Sequence, residues 1–119
     1  MNPPKILIVE DAMIVARAMK LSLEEAGYSA AIALEGEDAI MKAEKEKPDI
    51  VLMDITLGGE IDGIEAARRI MDICTVPVIY LTGNTDAATF ERAKRTHPAG
   101  FLLKPVDDHE LIELIKKIA

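Results

Sequence analysis

The stretch Asp49-Ile50-Val51-Leu52-Met53-Asp54 decides the fold. Its apolar interior runs on without alternation between two carboxylates. A strand with one wet face alternates polar and apolar side chains, so a continuous run points to burial on both faces, as at the centre of a parallel sheet. Parallel neighbours need crossover connections, and helices are the usual ones. Helical patterns stand on both sides. Upstream, from about Gly36 to Lys47, Ala39, Ile40 and Ala43 repeat at three and four residues, and Pro48 ends the run. Downstream, the loop Leu57-Gly58-Gly59-Glu60-Ile61 leads to Asp62 and Glu65, which have capping-box spacing. Ile64, Ala67, Arg68 and Met71 then recur with helical period.

The same alternation extends to both ends of the chain. Further strands are expected at Lys5 to Val9, Ser29 to Ala33, Pro77 to Leu81 and Gly100 to Leu103. A helix is expected from about Met13 to Ala26, with an apolar stripe of Val15, Met19 and Leu21 to Leu23 and a stop at Gly27. Another covers about Asp86 to Thr96. The last begins at Asp107, with Glu110 as partner at its third position, and Leu111, Ile112, Leu114, Ile115 and Ile118 form its apolar face. Acidic residues crowd its start and Lys116 and Lys117 its end, as the helix dipole favours. Five strands alternating with five helices imply an α/β doubly wound parallel sheet. The expected strand order is 2-1-3-4-5, in one domain spanning residues 1–119.

Composition narrows the function. The formal charge of −7 disfavours phosphate backbones, and four Phe and Tyr with no Trp give no stacking platform for bases, so no nucleic-acid binding is expected from this chain alone. No apolar run approaches the roughly 20 residues that span a bilayer. Residues 6–9 are too short a run for a signal-peptide core. A cytoplasmic location is therefore expected. Cys74 is the single cysteine, read as a buried structural residue in a reducing compartment. His97 and His109 have no cysteine partners at metal spacing and are read as surface residues.

In doubly wound sheets the ligand site lies beyond the carboxyl ends of the strands. The first strand ends at Glu10-Asp11, the third at Asp54, the fourth at Thr82 and the fifth at Lys104. Neighbouring strand ends thus bring three carboxylates, a hydroxyl and an ammonium to one crevice. Crowded carboxylates raise at least one pKa, and a divalent cation relieves the conflict. Oxygen-only donors favour a hard ion such as Mg2+. A carboxylate can attack phosphorus while the cation, ammonium and hydroxyl neutralise the phosphoryl oxygens. Each residue alone is also what a helix cap, a turn or a solvated surface requires. From spacing alone, the phosphoryl-acceptor reading and that plainer one stand level. No Walker loop, dinucleotide fingerprint or nucleophile elbow competes.

Ile6-Leu7-Ile8-Val9-Glu10-Asp11, Asp49 to Asp54, Pro77-Val78-Ile79-Tyr80-Leu81-Thr82-Gly83 and Gly100-Phe101-Leu102-Leu103-Lys104-Pro105 together resemble the receiver domains of two-component response regulators, over essentially the full chain. The resemblance implies a flavodoxin-like fold. It implies that Asp54 accepts a phosphoryl group from a phosphohistidine of a sensor histidine kinase or histidine phosphotransfer domain. Glu10, Asp11, Asp54 and the Thr56 main-chain carbonyl would hold Mg2+. Thr82 would be the switch hydroxyl, Lys104 the phosphoryl-pairing lysine and Phe101 the aromatic rotamer switch. The Lys104–Pro105 bond would be cis. Phosphorylation would change the surface of the fourth helix, fifth strand and fifth helix, read by a downstream or covalently attached effector. The domain would also take part in its own dephosphorylation. A monomer or a weak phosphorylation-dependent dimer is expected.

The sequence departs from the family pattern in places. Glu10 stands where many members have Asp, and Phe101 lacks the hydroxyl of the commoner Tyr. Many relatives have proline at the place of Gly58 and one residue fewer before Asp62-Gly63. Two other readings of the same fold are a phosphorylation-independent interaction domain and an aspartate-based phosphatase. The second needs a general acid two residues after Asp54, where Thr56 stands.

Overall fold

The computed structural model describes residues 3–118; Met1, Asn2 and Ala119, the ends of the expected 1–119 unit, lie outside the described residues. Five strands alternate with five helices: β1 (Lys5–Val9), α1 (Met13–Glu25), β2 (Ser29–Ala33), α2 (Gly36–Glu46), β3 (Ile50–Asp54), α3 (Gly63–Ile73), β4 (Val78–Thr82), α4 (Ala87–Lys94), β5 (Gly100–Leu103) and α5 (Asp108–Ile118). All strand pairs are parallel, in the expected order β2-β1-β3-β4-β5.

The continuous apolar run of β3 divides between two cores because successive side chains point to opposite faces. Val51 and Met53 join Leu7, Val9, Val78 and Tyr80 under α2 and α3, where Ala39, Ala43, Ile64, Ala67 and Ile70 meet them. Ile50 and Leu52 join Ile6, Ile8, Ile79 and Leu81 under α1 and α5, against Ala16, Met19, Leu23, Leu111 and Ile115. Each fully buried Leu or Ile stabilises the fold by about 1.5–3 kcal/mol. Every residue of β3 is buried, as the sequence requires of a central strand.

Several expected details shift. The buried stripe of α1 is Ala16, Met19 and Leu23, whereas Val15 and Leu21 face solvent. Ala26 caps that helix and Gly27 follows in a left-handed turn at φ 97°, at the stop expected there. In α3, Arg68 points outward to Glu65 and Asp72, and Ile70 takes the inner place. Asp62 caps α3 by accepting from the Glu65 N–H at 2.8 Å, but the Glu65 carboxylate turns to Arg68 and Arg69 instead of completing the box. Asp107 accepts from the His109 N–H at 2.8 Å, one residue short of the expected Glu110. Helix α4 stops at Lys94, two residues early, where the Thr96 hydroxyl takes the Ala93 carbonyl. Cys74 is only half-buried, with its thiol 3.6 Å from the Ala43 carbonyl. The two histidines are exposed, as expected.

Candidate functional site

The sheet delivers the expected residues to one edge. Glu10 follows β1, Asp54 ends β3, Thr82 ends β4 and Lys104 follows β5. Parallel register aligns these ends, with Asp54 opposite Leu81 and Thr82 opposite Leu103. The Lys104 N–H donates to the Thr82 carbonyl at 2.7 Å, extending the ladder past β5. The next peptide, Lys104–Pro105, is cis.

Two carboxylates are buried here, Glu10 at 1 % exposure and Asp54 at 2 %, while Asp11 is exposed. The Lys104 ammonium lies 3.0 Å from Glu10 Oε1 and 3.1 Å from Asp54 Oδ2. The other Asp54 oxygen, Oδ1, accepts from both the Thr56 N–H and the Thr56 hydroxyl at 3.0 Å. Asp11 Oδ2 accepts from the Gly58 N–H at 3.3 Å. Gly63 lets α3 start flush against β3, since a Cβ there would overlap the Asp54 carbonyl oxygen.

Burial pushes the Glu10 carboxyl up to about 7, and a hydrogen bond shared with Asp54 adds to the rise against the pull of Lys104. Burial pushes on Asp54 in the same direction, but hydrogen bonds from Glu10, the Thr56 amide and Lys104 outweigh it and hold that carboxyl below its ordinary range. For Lys104, burial opposes the charge, and its bonds to Glu10 and Asp54 win, so its pKa rises. The raised carboxyl expected among three crowded carboxylates is therefore Glu10, and Asp54 is kept as the anion.

Glu10, Asp11 and Asp54 each offer one oxygen, all within 4.8 Å of one another. Three carboxylates crowded around one ammonium leave an excess of acidic groups, which a divalent cation offsets. An all-oxygen donor set suits a hard cation. Thr82 is buried at 5 % exposure. Phe101 stacks on Tyr80, with centroids 5.7 Å apart, and meets Phe90 of α4 at 4.6 Å. The Tyr80 hydroxyl lies 2.7 Å from that of Thr96.

The family resemblance implies a role for the Thr56 carbonyl alone. The grip of the Thr56 N–H and hydroxyl on Asp54, and of the Gly58 amide on Asp11, emerges only in the structure. A hydroxyl residue two places after the strand-end aspartate was the available signal for the first. Nothing local signalled the second.

Fold and cluster together are those of a signalling domain consistent with aspartyl-phosphate and metal chemistry. Residues 6–116 match the response regulator receiver domain, and the chain belongs to that family. It is similar to the signal receiver domain of a modulated diguanylate cyclase from Desulfovibrio desulfuricans, with 40% identity over 98% of this chain and 94% of that one, at a TM-score of 0.93. Protein PilH of Pseudomonas aeruginosa is 32% identical, covering 96% of both chains. Transcriptional regulatory protein AfsQ1 of Streptomyces coelicolor is 31% identical over 97% of this chain but only 51% of its own length. The chain thus spans about half the length of the first curated relatives it matches.

Proposed function

We propose that residues 1–119 act as one phosphorylation-operated module in which Asp54 accepts a phosphoryl group from a phosphohistidine donor. The observation that carries this is the setting of Asp54. It is a buried anion at the end of the central strand, with Oδ2 paired to Lys104 at 3.1 Å and Oδ1 held by Thr56. A carboxylate oxygen of Asp54 attacks phosphorus in line. The N–P bond breaks, the histidine nitrogen leaves with the electron pair, and an acyl phosphate remains. Glu10, Asp11, Asp54 and the Thr56 carbonyl are the residues to hold Mg2+, which would supply charge neutralisation for the phosphoryl oxygens. Lys104 pairs with one of those oxygens, and the Thr82 hydroxyl donates to another. Water later hydrolyses the acyl phosphate.

The output is a population shift. Movement of Thr82 toward the phosphoryl group repacks Phe101, which already contacts Phe90 of α4. That alters the α4–β5–α5 surface read by an effector, attached or separate, or by a second copy in a weak dimer. A sensor histidine kinase or histidine phosphotransfer domain would be the donor. A groove of about 540 Å³ between α1 and the segment after β5, with Ile14, Val15, Lys104 and Pro105 in its lining, gives such a donor apolar surface beside the site. The setting would be cytoplasmic; no helix among the described residues is long and apolar enough to cross a membrane.

The test is a small phosphodonor with Mg2+, followed by intact mass. One phosphoryl group is expected on the wild type and none on Asp54→Asn. Equal labelling of the two would place the acceptor elsewhere. No labelling of the wild type would favour a phosphorylation-independent interaction domain.

A further inference from the structure

The loop after β3 reaches back over the acidic cluster. Leu57, 4 % exposed, is anchored in the core under α2 and α3. Its two neighbours face the other way: the Thr56 N–H donates to Asp54 Oδ1, and the Gly58 N–H donates to Asp11 Oδ2. Gly59 follows at φ 106°, a turn that glycine adopts without strain. Asp11 is the exposed member of the cluster. Glu10 and Asp54 are fixed by burial and by Lys104. The Gly58 contact is the one hydrogen bond found on the Asp11 carboxylate among the described residues. At 3.3 Å it is long, but its acceptor is a carboxylate and it restricts the rotation of an otherwise free side chain.

We propose that the Gly58 backbone N–H is a positioning donor that orients Asp11 and thereby sets the affinity of the Glu10–Asp11–Asp54 cluster for Mg2+. The inference rests on the reading of that cluster as a metal site. Bonding to Oδ2 leaves Oδ1 as the free oxygen for a cation. Outer hydrogen bonds of this kind typically contribute about 10–100-fold to metal affinity. The donor is main chain, so side-chain identity matters only through whether an N–H is present and whether a Cβ fits. A Cβ at position 58 would lie 3.3 Å from Asp11 Oδ2, a contact the exposed carboxylate can relieve by a small shift.

Mg2+ alone is titrated calorimetrically into the wild type, Gly58→Ala, Gly58→Pro, Asp11→Ala and the Asp11→Ala/Gly58→Pro double variant. Proline removes the donor and should weaken binding about ten-fold, whereas alanine keeps it and should change binding by less than about three-fold. In the Asp11→Ala background the proline should cost nothing further. Equal affinity for proline and wild type, equal losses for alanine and proline, or an undiminished proline effect without Asp11 would each overturn the proposal. If the proline variant does not fold, amide NMR decides. The Gly58 amide should be protected from exchange in the wild type and unprotected in Asp11→Ala, and unchanged exchange overturns it. A wild type that binds no Mg2+ overturns the metal-site reading itself. Wild-type binding that proline leaves unchanged overturns only the role of Gly58.

Discussion

Glu10 sits where burial penalises its charged form. Its ordinary value of 4.5 rises to about 7 in the folded state, first because it is buried and then because it shares a hydrogen bond with Asp54. The folded protein therefore holds this proton more tightly than the unfolded chain. Stability from this group is complete below about 4.5 and is lost as pH rises through about 7. Asp54, held low, works in the opposite sense and only at acidic pH, so the two windows separate. Glutamine copies the protonated Glu10. In metal-free protein, Glu10→Gln should stabilise the fold at pH 8 by on the order of 1–3 kcal/mol and be nearly neutral at pH 5. Urea denaturation in EDTA at the two pH values measures it. An equal effect at both would mean that Glu10 does not carry the shared proton.

Helix α4 differs from the other elements in how it is held. It has 8 residues, and only Ala93 is buried. Its anchors are polar or aromatic: Arg92 on Asp62 at 3.1 Å, Phe90 on Phe101, and the Tyr80–Thr96 hydroxyl bond just past its end. The Arg92 pair is surface-exposed and contributes little. The Tyr80 bond is shielded, since Tyr80 is fully buried. Tyr80→Phe removes it while keeping the ring, and should cost about 1 kcal/mol. The loss should fall locally. Amide exchange over 87–94 should quicken several-fold, while α1 and β1 keep their protection. Uniform acceleration across the chain would show that the bond belongs to the global core. This element was also the least legible in the sequence. Its end depends on the Thr96 hydroxyl taking the Ala93 carbonyl, and its hold depends on Tyr80, which an apolar strand pattern treats as one more core residue. Caps that act within a few residues, such as Asp62 on Glu65, could be read directly.

At the scale of the molecule, one sheet carries two cores and leaves a seam at its carboxyl edge. That edge was legible because β1, β3 and β4 have apolar runs leading to their carboxyl ends, so a polar or charged group standing there is conspicuous. The strand order then made neighbours of Glu10, Asp54, Thr82 and Lys104. Less legible was everything that depends on the path of the 55–62 loop, because the pull of Thr56 and Gly58 on the carboxylates is set by where Leu57 is buried. The same seam makes cation binding a property of the whole fold. An unfolded chain does not hold Glu10, Asp11 and Asp54 within 4.8 Å, so Mg2+ bound there stabilises the native state by RT ln(1 + [Mg2+]/Kd). At a hundred times Kd this is about 2.7 kcal/mol, a rise of several degrees in Tm. Any salt also screens the net charge of −7, so the comparison is with NaCl at matched ionic strength. Mg2+ should raise Tm beyond NaCl, EDTA should reverse the rise, and Asp11→Asn should remove most of it. Scanning calorimetry measures all three; a rise that NaCl reproduces, or that survives Asp11→Asn, would mean that the acidic cluster does not bind the ion as a unit.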